Sequence, residues 1–188
     1  MKKTIMIDMD EVIVKPRFTD FLVEFLGEAD FSKLNSFFRQ DLIKGKEEEF
    51  KKIYQFKNLY KYDNGSFVEP LENCVEVIKQ LTKKYEVFVA THYVWKEDVI
   101  NSEANKQNKL EYLKHFFPFI NPNNFIFCHD KTQFKFDIGI DDNLKFLNSC
   151  SQKLLFTEFR NEHLTNQELA LNKVARVNNW LEVKEKLL

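Results

Sequence analysis

Four short stretches carry the groups able to do chemistry: Asp8-Met9-Asp10, Thr91-His92, His129-Asp130-Lys131 and Asp141-Asp142. Carboxylates gathered at one place repel unless a cation lies between them. Ligation by oxygen alone suits Mg²⁺, which keeps several waters and also takes a phosphate oxygen. A Thr hydroxyl and a Lys ammonium are the partners a phosphoryl group needs on its other side. Taken singly, each stretch has a plainer reading. Two aspartates two residues apart also make a surface turn, and a loop lysine is usually solvated. Thr91 and Asp142 also suit helix N-caps. His92 and His129 alone carry no assignment. No His/Cys cluster has metal-ligand spacing, so zinc is not expected.

What positions these groups is a set of short apolar runs. Thr4–Ile7, Val87–Ala90, Phe125–Phe127, Asp137–Ile140 and Leu154–Phe156 read as strands buried on both faces. Helical spacing runs through Leu71, Val75, Ile78 and Leu81, and again through Leu110, Leu113 and Phe117. A last helix spans about Asn179 to Leu188. Strands alternating with helices predict an α/β fold with a Rossmann-like, mainly parallel sheet. Ligands of such sheets bind at the carboxyl ends of the strands, where all four stretches fall. Asp137 stands at a strand start, away from that edge, and reads as structural.

Residues 15–66 are helix-like, charged and rich in aromatics, and follow the first strand directly. They are too long for a simple crossover. The expected organisation is an α/β core of residues 1–14 and 67–188, with a small helical cap of residues 15–66 inserted after the first strand.

The composition narrows the function classes. A chain of 188 residues is one ordinary domain, with or without a modest insertion. Lys and Arg total 28 against 29 Asp and Glu, so no dominant nucleic-acid footprint or polybasic membrane patch is expected. Four glycines are too few for a Gly-rich phosphate loop, and neither glycine fingerprint occurs. The 20 phenylalanines serve a Phe-heavy core, a pocket lining, or both. Cys74, Cys128 and Cys150 match no zinc or redox spacing and read as free thiols of a reducing compartment. The apolar start is cut short by Asp8 and Asp10, too early for a signal peptide. No run is long enough to span a membrane. A cytoplasmic location is expected.

Asp8-Met9-Asp10-Glu11-Val12 resembles the first motif, D-x-D-x-[TV], of the haloacid dehalogenase-like hydrolases. Thr91, Lys131 and Asp141-Asp142 resemble the second, third and fourth motifs, in order and in strand context. The runs Asp-Met-Asp, Asp-Lys-Thr and Ile-Asp-Asp, with the tail through Asn161, His163-Leu164 and Trp180, are similar to the 5′(3′)-deoxyribonucleotidases, the cytosolic type C 5′-nucleotidase family. The likeness covers nearly the whole chain and is weakest in residues 15–66. Three positions depart: Glu11 stands where the family often has Gly, His92 where it often has Ser, and His129 where it often has Arg.

The resemblance implies a Mg²⁺-dependent phosphatase. It would hydrolyse nucleoside monophosphates to nucleoside and phosphate through an aspartyl-phosphate. Asp8 would be the nucleophile and Asp10 the acid and base. Thr91 and Lys131 would bind phosphate. Asp8, the Asp10 carbonyl and Asp141 would hold the metal, with Asp142 either a water-mediated ligand or a helix cap. Phe18, Phe37, Phe38 and His92 would meet the substrate, the rings by stacking on the base. The implied partner is a small-molecule nucleoside monophosphate. Neither a membrane nor a stable nucleic-acid partner is expected, and a homodimer is left open. Two alternatives stay open: a phosphatase of the same superfamily acting on another small phosphate ester or a nucleic-acid end, and a non-catalytic binding protein on this fold.

Overall fold

The computed structural model describes residues 2–27, 45–54, 58–93 and 99–188. Six strands form one parallel sheet: β1 (Thr4–Ile7), β2 (Glu86–His92), β3 (Phe125–Cys128), β4 (Phe136–Asp141), β5 (Cys150–Phe156) and β6 (Val174–Val177). Their spatial order is β3-β2-β1-β4-β5-β6. The chain winds outward from β1 to β3, returns to the middle, and winds the other way from β4 to β6. The winding changes direction between β1 and β4, which is where such sheets open a crevice.

Central β1 is apolar because both its faces are covered: Ile5, Met6 and Ile7 are fully buried. Its register sets Ile7 beside Val89 on one side and Ile140 on the other. Carried one residue further, that register puts Asp8 level with Asp141. The Asp8 amide donates to the Ile140 carbonyl at 2.9 Å, which fixes this level. At the opposite edge of the sheet, Asp137 accepts from the Thr4 amide at 2.7 Å and the Thr4 hydroxyl at 3.0 Å, a structural use far from the crevice. Gly139 lies close under its neighbours: a Cβ there would come within 2.5 Å of Cys150 Sγ.

Two helices, α1 (Phe18–Leu26) and α2 (Glu47–Tyr54), stand between β1 and α3 (Cys74–Lys84). α4 (Val99–Phe116) carries the chain from β2 to β3, and α5 (Leu144–Leu147) and α6 (Asn166–Leu171) follow β4 and β5. α7 (Trp180–Leu187) closes the fold. α3 buries Cys74, Val77, Ile78 and Leu81, a spacing that makes one helical face. It begins at Cys74 rather than near Leu71, because Asn73 takes a left-handed φ of 62° and breaks the pattern. Leu71 instead donates its amide to the Ile13 carbonyl.

Two elements go beyond the sequence expectation. α4 extends back to Val99, well before Leu110. β6 is a sixth strand whose four residues alternate too briefly to announce it. α7 matches its expected span, with the Asn179 side chain capping its start. The buried Trp180 ring donates from Nε1 to the Val12 carbonyl at 2.8 Å, tying the last helix to the loop after β1. Cys74, Cys128 and Cys150 are free thiols. Among the described residues, no helix is long and apolar enough to cross a membrane.

Candidate active site

The carboxyl ends of β1, β2 and β4, with the turn after β3, bring the chemistry-bearing side chains together. Asp8 follows β1, Thr91 lies near the end of β2, Lys131 opens a single 3₁₀ turn after β3, and Asp141 ends β4. Lys131 Nζ sits between two carboxylates, 2.7 Å from Asp8 Oδ1 and 2.7 Å from Asp141 Oδ2. Asp8 Oδ1 also accepts from the Met9 amide at 2.6 Å. Asp141 Oδ1 accepts from the Asn143 amide at 2.9 Å. All three side chains are buried, Asp141 completely.

Burial by itself would lower the Lys131 ammonium, but Asp141 and Asp8 beside it raise it above the ordinary lysine range. Burial raises the Asp141 carboxyl, with Lys131 opposing and the like charge of Asp8 adding to the rise. Asp142 is likewise raised by burial and by Asp8 and Asp141, against the pull of Arg160.

Asp8, Asp141 and Asp142 each offer a carboxylate oxygen within 4.8 Å of the other two. The donor set is oxygen alone, which fits a hard cation such as Mg²⁺. Asp142 is not the helix cap that the sequence left open: Asn143 is the cap of α5, its side chain accepting from the Lys145 amide. Asp142 instead pairs with Arg160 at 2.5 Å, and its carbonyl accepts from Asn161 Nδ2. Arg160 in turn pairs with Glu158 at 2.9 Å.

Asp10 points to a different set of partners. Its Oδ1 accepts from the Tyr60 hydroxyl at 2.8 Å and its Oδ2 from Lys109 Nζ at 2.6 Å. Lys109 donates a second bond, also 2.6 Å, to Thr91 Oγ1. Lys109 and Tyr60 carry no motif. Tyr60 lies in a turn and leaves no pattern to read. Lys109 left one usable signal: it precedes Leu113 by four residues, so a lysine sits on the apolar face of a helix.

A cleft of about 610 Å³ opens over these groups, lined among others by Asp8, Asp10, Phe18, His92, Lys131 and Phe146. Phe18 thus faces the cleft, with its ring edge-on to Phe50 at 5.8 Å. His92 lines it too, and burial, Lys109 and His129 lower its imidazole below the usual range. His129 stands edge-on to His92 at 6.0 Å. Phe37 and Phe38 lie outside the described residues.

Glu11 explains one departure from the motif. Its φ of 63° is left-handed, the conformation that glycine adopts without strain. Glu11→Gly is expected to be more stable than Glu11→Ala by about 1 kcal/mol, since both lose the carboxylate and only alanine keeps the strained Cβ. Urea midpoints of the two variants measure the difference, and equal midpoints would contradict the strain.

A parallel sheet in this strand order, with acids after its first and fourth strands, defines a haloacid dehalogenase-like fold. Solved structures agree on the fold. A haloacid dehalogenase-like family hydrolase from Streptococcus pneumoniae superposes with a TM-score of 0.59 at 16% identity, covering 100% of this chain and 99% of that one. A magnesium-bound structure of the hydrolase YfnB from Bacillus subtilis gives 0.58 at 12% identity, covering 99% and 98%. The family described as 5′ nucleotidase, deoxy (pyrimidine), cytosolic type C protein matches residues 2–188. A 5′(3′)-deoxyribonucleotidase of Bacillus subtilis (strain 168) and one of Bacillus phage SPbeta are each 33% identical over 194 residues, covering 100% of both chains. The chain belongs to the 5′(3′)-deoxyribonucleotidase family and is a phosphoric monoester hydrolase.

Proposed function

We propose that the chain is a Mg²⁺-dependent phosphatase that converts (deoxy)ribonucleoside monophosphates to nucleoside and phosphate through an aspartyl-phosphate on Asp8. The observation that carries this reading is the Asp8–Lys131–Asp141 contact at the sheet's switch point, with Asp10 and Thr91 joined to each other through Lys109. Asp8, Asp141 and the carbonyl of Asp10 would hold the metal, with Asp142 as a further ligand. When bound, Mg²⁺ offsets negative charge on the phosphoryl oxygens.

The protein's own groups divide the work. Asp8 attacks phosphorus as the bond to the nucleoside oxygen breaks. The electron pair of that bond leaves with the oxygen, which takes a proton from Asp10. Asp10, now a carboxylate, takes a proton from water, and the water oxygen attacks phosphorus to free Asp8. Thr91 donates to a phosphoryl oxygen, and Lys131 offsets the charge shared between phosphate and Asp8.

Residues 15–66 form the cap over this site, and residues 1–14 with 67–188 form the core. Phe18 supplies an aromatic wall at the cleft, and a base stacked on a ring gains about 1–3 kcal/mol. That preference separates a nucleotide from a bare sugar phosphate. The relatives' names, both 5′(3′)-deoxyribonucleotidases, point to the same substrate class.

A panel of nucleoside monophosphates, sugar phosphates and 5′-phosphorylated oligonucleotides, assayed for phosphate release, tests the reading. Deoxyribonucleoside monophosphates are expected to turn over fastest. EDTA is expected to stop release and added Mg²⁺ to restore it. Full activity in EDTA, or preference for an oligonucleotide end, would overturn the proposal.

A further inference from the structure

We propose that Lys109, together with Tyr60, is a positioning residue that holds the Asp10 carboxyl in line with the leaving-group oxygen and ties it to Thr91. The inference rests on the reading of Asp10 as the group that protonates the leaving nucleoside.

Lys109 comes from the middle of α4, 99 residues from Asp10 and 18 from Thr91. Its side chain is 1% exposed, whereas the Asp10 side chain is 36% exposed. A buried ammonium needs partners for its N–H groups, or its desolvation is uncompensated. It finds two short ones, Asp10 Oδ2 and Thr91 Oγ1, both at 2.6 Å. The Asp10 carboxylate is half open to the cleft and would otherwise sample several rotamers. Lys109 on one oxygen and the Tyr60 hydroxyl on the other leave it a single orientation. Each oxygen has two lone pairs, so each keeps one for substrate or water.

The second bond of Lys109 acts on Thr91. The ammonium can only donate, so Thr91 Oγ1 must accept, and the threonine's own hydrogen is turned elsewhere. The one acceptor for it among the described residues is the His92 carbonyl at a long 3.4 Å. That hydrogen is thus left for a phosphoryl oxygen. Lys109 therefore couples the proton donor for the leaving group to the hydroxyl that grips the phosphate. Lys131 does not share this task, since its two carboxylate contacts are Asp8 and Asp141.

The test compares leaving groups. A nucleoside alkoxide needs a proton as it departs, whereas p-nitrophenolate is stable without one. The ratio kcat/KM reports only the steps through leaving-group departure, so the later water attack does not blur the comparison. Lys109→Met is expected to lower kcat/KM about 100-fold for dUMP and only a few-fold for p-nitrophenyl phosphate. Tyr60→Phe is expected to show the same selectivity at roughly a tenth of that size. Inhibition by inorganic phosphate is expected to weaken only a few-fold in Lys109→Met, the share of the one Thr91 hydroxyl that Lys109 orients. Equal losses on both esters, or phosphate inhibition weakened as much as kcat/KM on dUMP, would make Lys109 a phosphate ligand and overturn the proposal. Should Lys109→Met fail to fold by circular dichroism, Tyr60→Phe decides: a selective loss on dUMP upholds the proposal, and equal or absent effects reject it. Absence of turnover by the unmodified enzyme on both esters would remove the phosphatase reading itself, and this proposal with it.

Discussion

Asp8→Asn is expected to lower phosphate release from dUMP by about 10⁴-fold or more, because an amide oxygen is a far weaker nucleophile toward phosphorus. The substitution is nearly isosteric. The amide oxygen can still accept from the Met9 amide and from Lys131, which now hold the Asp8 carboxylate at 2.6 and 2.7 Å. It also removes one of three crowded negative charges. The melting temperature is therefore expected to stay within a few degrees of the parent, so the lost activity would not reflect unfolding. Acid quenching of the parent during turnover of ³²P-labelled substrate is expected to leave label on the protein, and Asp8→Asn is expected to carry none. Near-normal turnover by the variant would remove Asp8 from the mechanism and the aspartyl-phosphate with it.

Lys131→Met has the largest expected effect on stability as well as activity. The ammonium is the charge that lies directly between Asp8 and Asp141 in a buried setting. Removing one partner of a buried ion pair costs about 3–5 kcal/mol, because the remaining charges are left uncompensated. For a chain of this length that is about 10 °C or more in melting temperature. The pH dependence has a defined sign. Without Lys131 to oppose them, burial and the like charge of Asp8 hold the Asp141 carboxyl still further above its unfolded value. The folded state then binds more protons than the unfolded one, so the variant's deficit is expected to be greatest near neutral pH and to shrink as pH falls through the carboxylate range. Mg²⁺ is expected to recover part of the lost melting temperature by supplying positive charge to the same carboxylates. Turnover is expected to fall about 10²–10³-fold, the size of losing one charged group aimed at the phosphoryl oxygens. An unchanged melting curve with turnover within tenfold of the parent would show that Lys131 is not the central counter-charge.

Much of this was legible in the chain alone. The apolar runs ahead of Asp8, Thr91, Lys131 and Asp141 marked strands, and the acids, hydroxyl and ammonium just past them marked the carboxyl edge of a parallel sheet. These are local signals, fixed by which side chains are apolar and where each run stops. β6 escaped because four residues are too few for a period to emerge, and the early part of α4 because its first turns carry no apolar stripe. Glu11 reads as a break in a glycine pattern until its left-handed φ supplies the reason.

The sequence by itself determined the composition of the site: which groups are present, that they are oxygen and ammonium donors, and that they sit at strand ends. Only the tertiary structure decided their pairing. It set Lys131 between Asp8 and Asp141, turned Asp10 away toward Tyr60 and Lys109, and gave Asp142 to Arg160. The physical reason is distance along the chain. Lys109 lies 99 residues from Asp10, and Tyr60 lies 50 from it, so no local periodicity can record that they meet. Their meeting is fixed by strand register and by the face on which α4 packs, and each of those depends on the whole core folding at once.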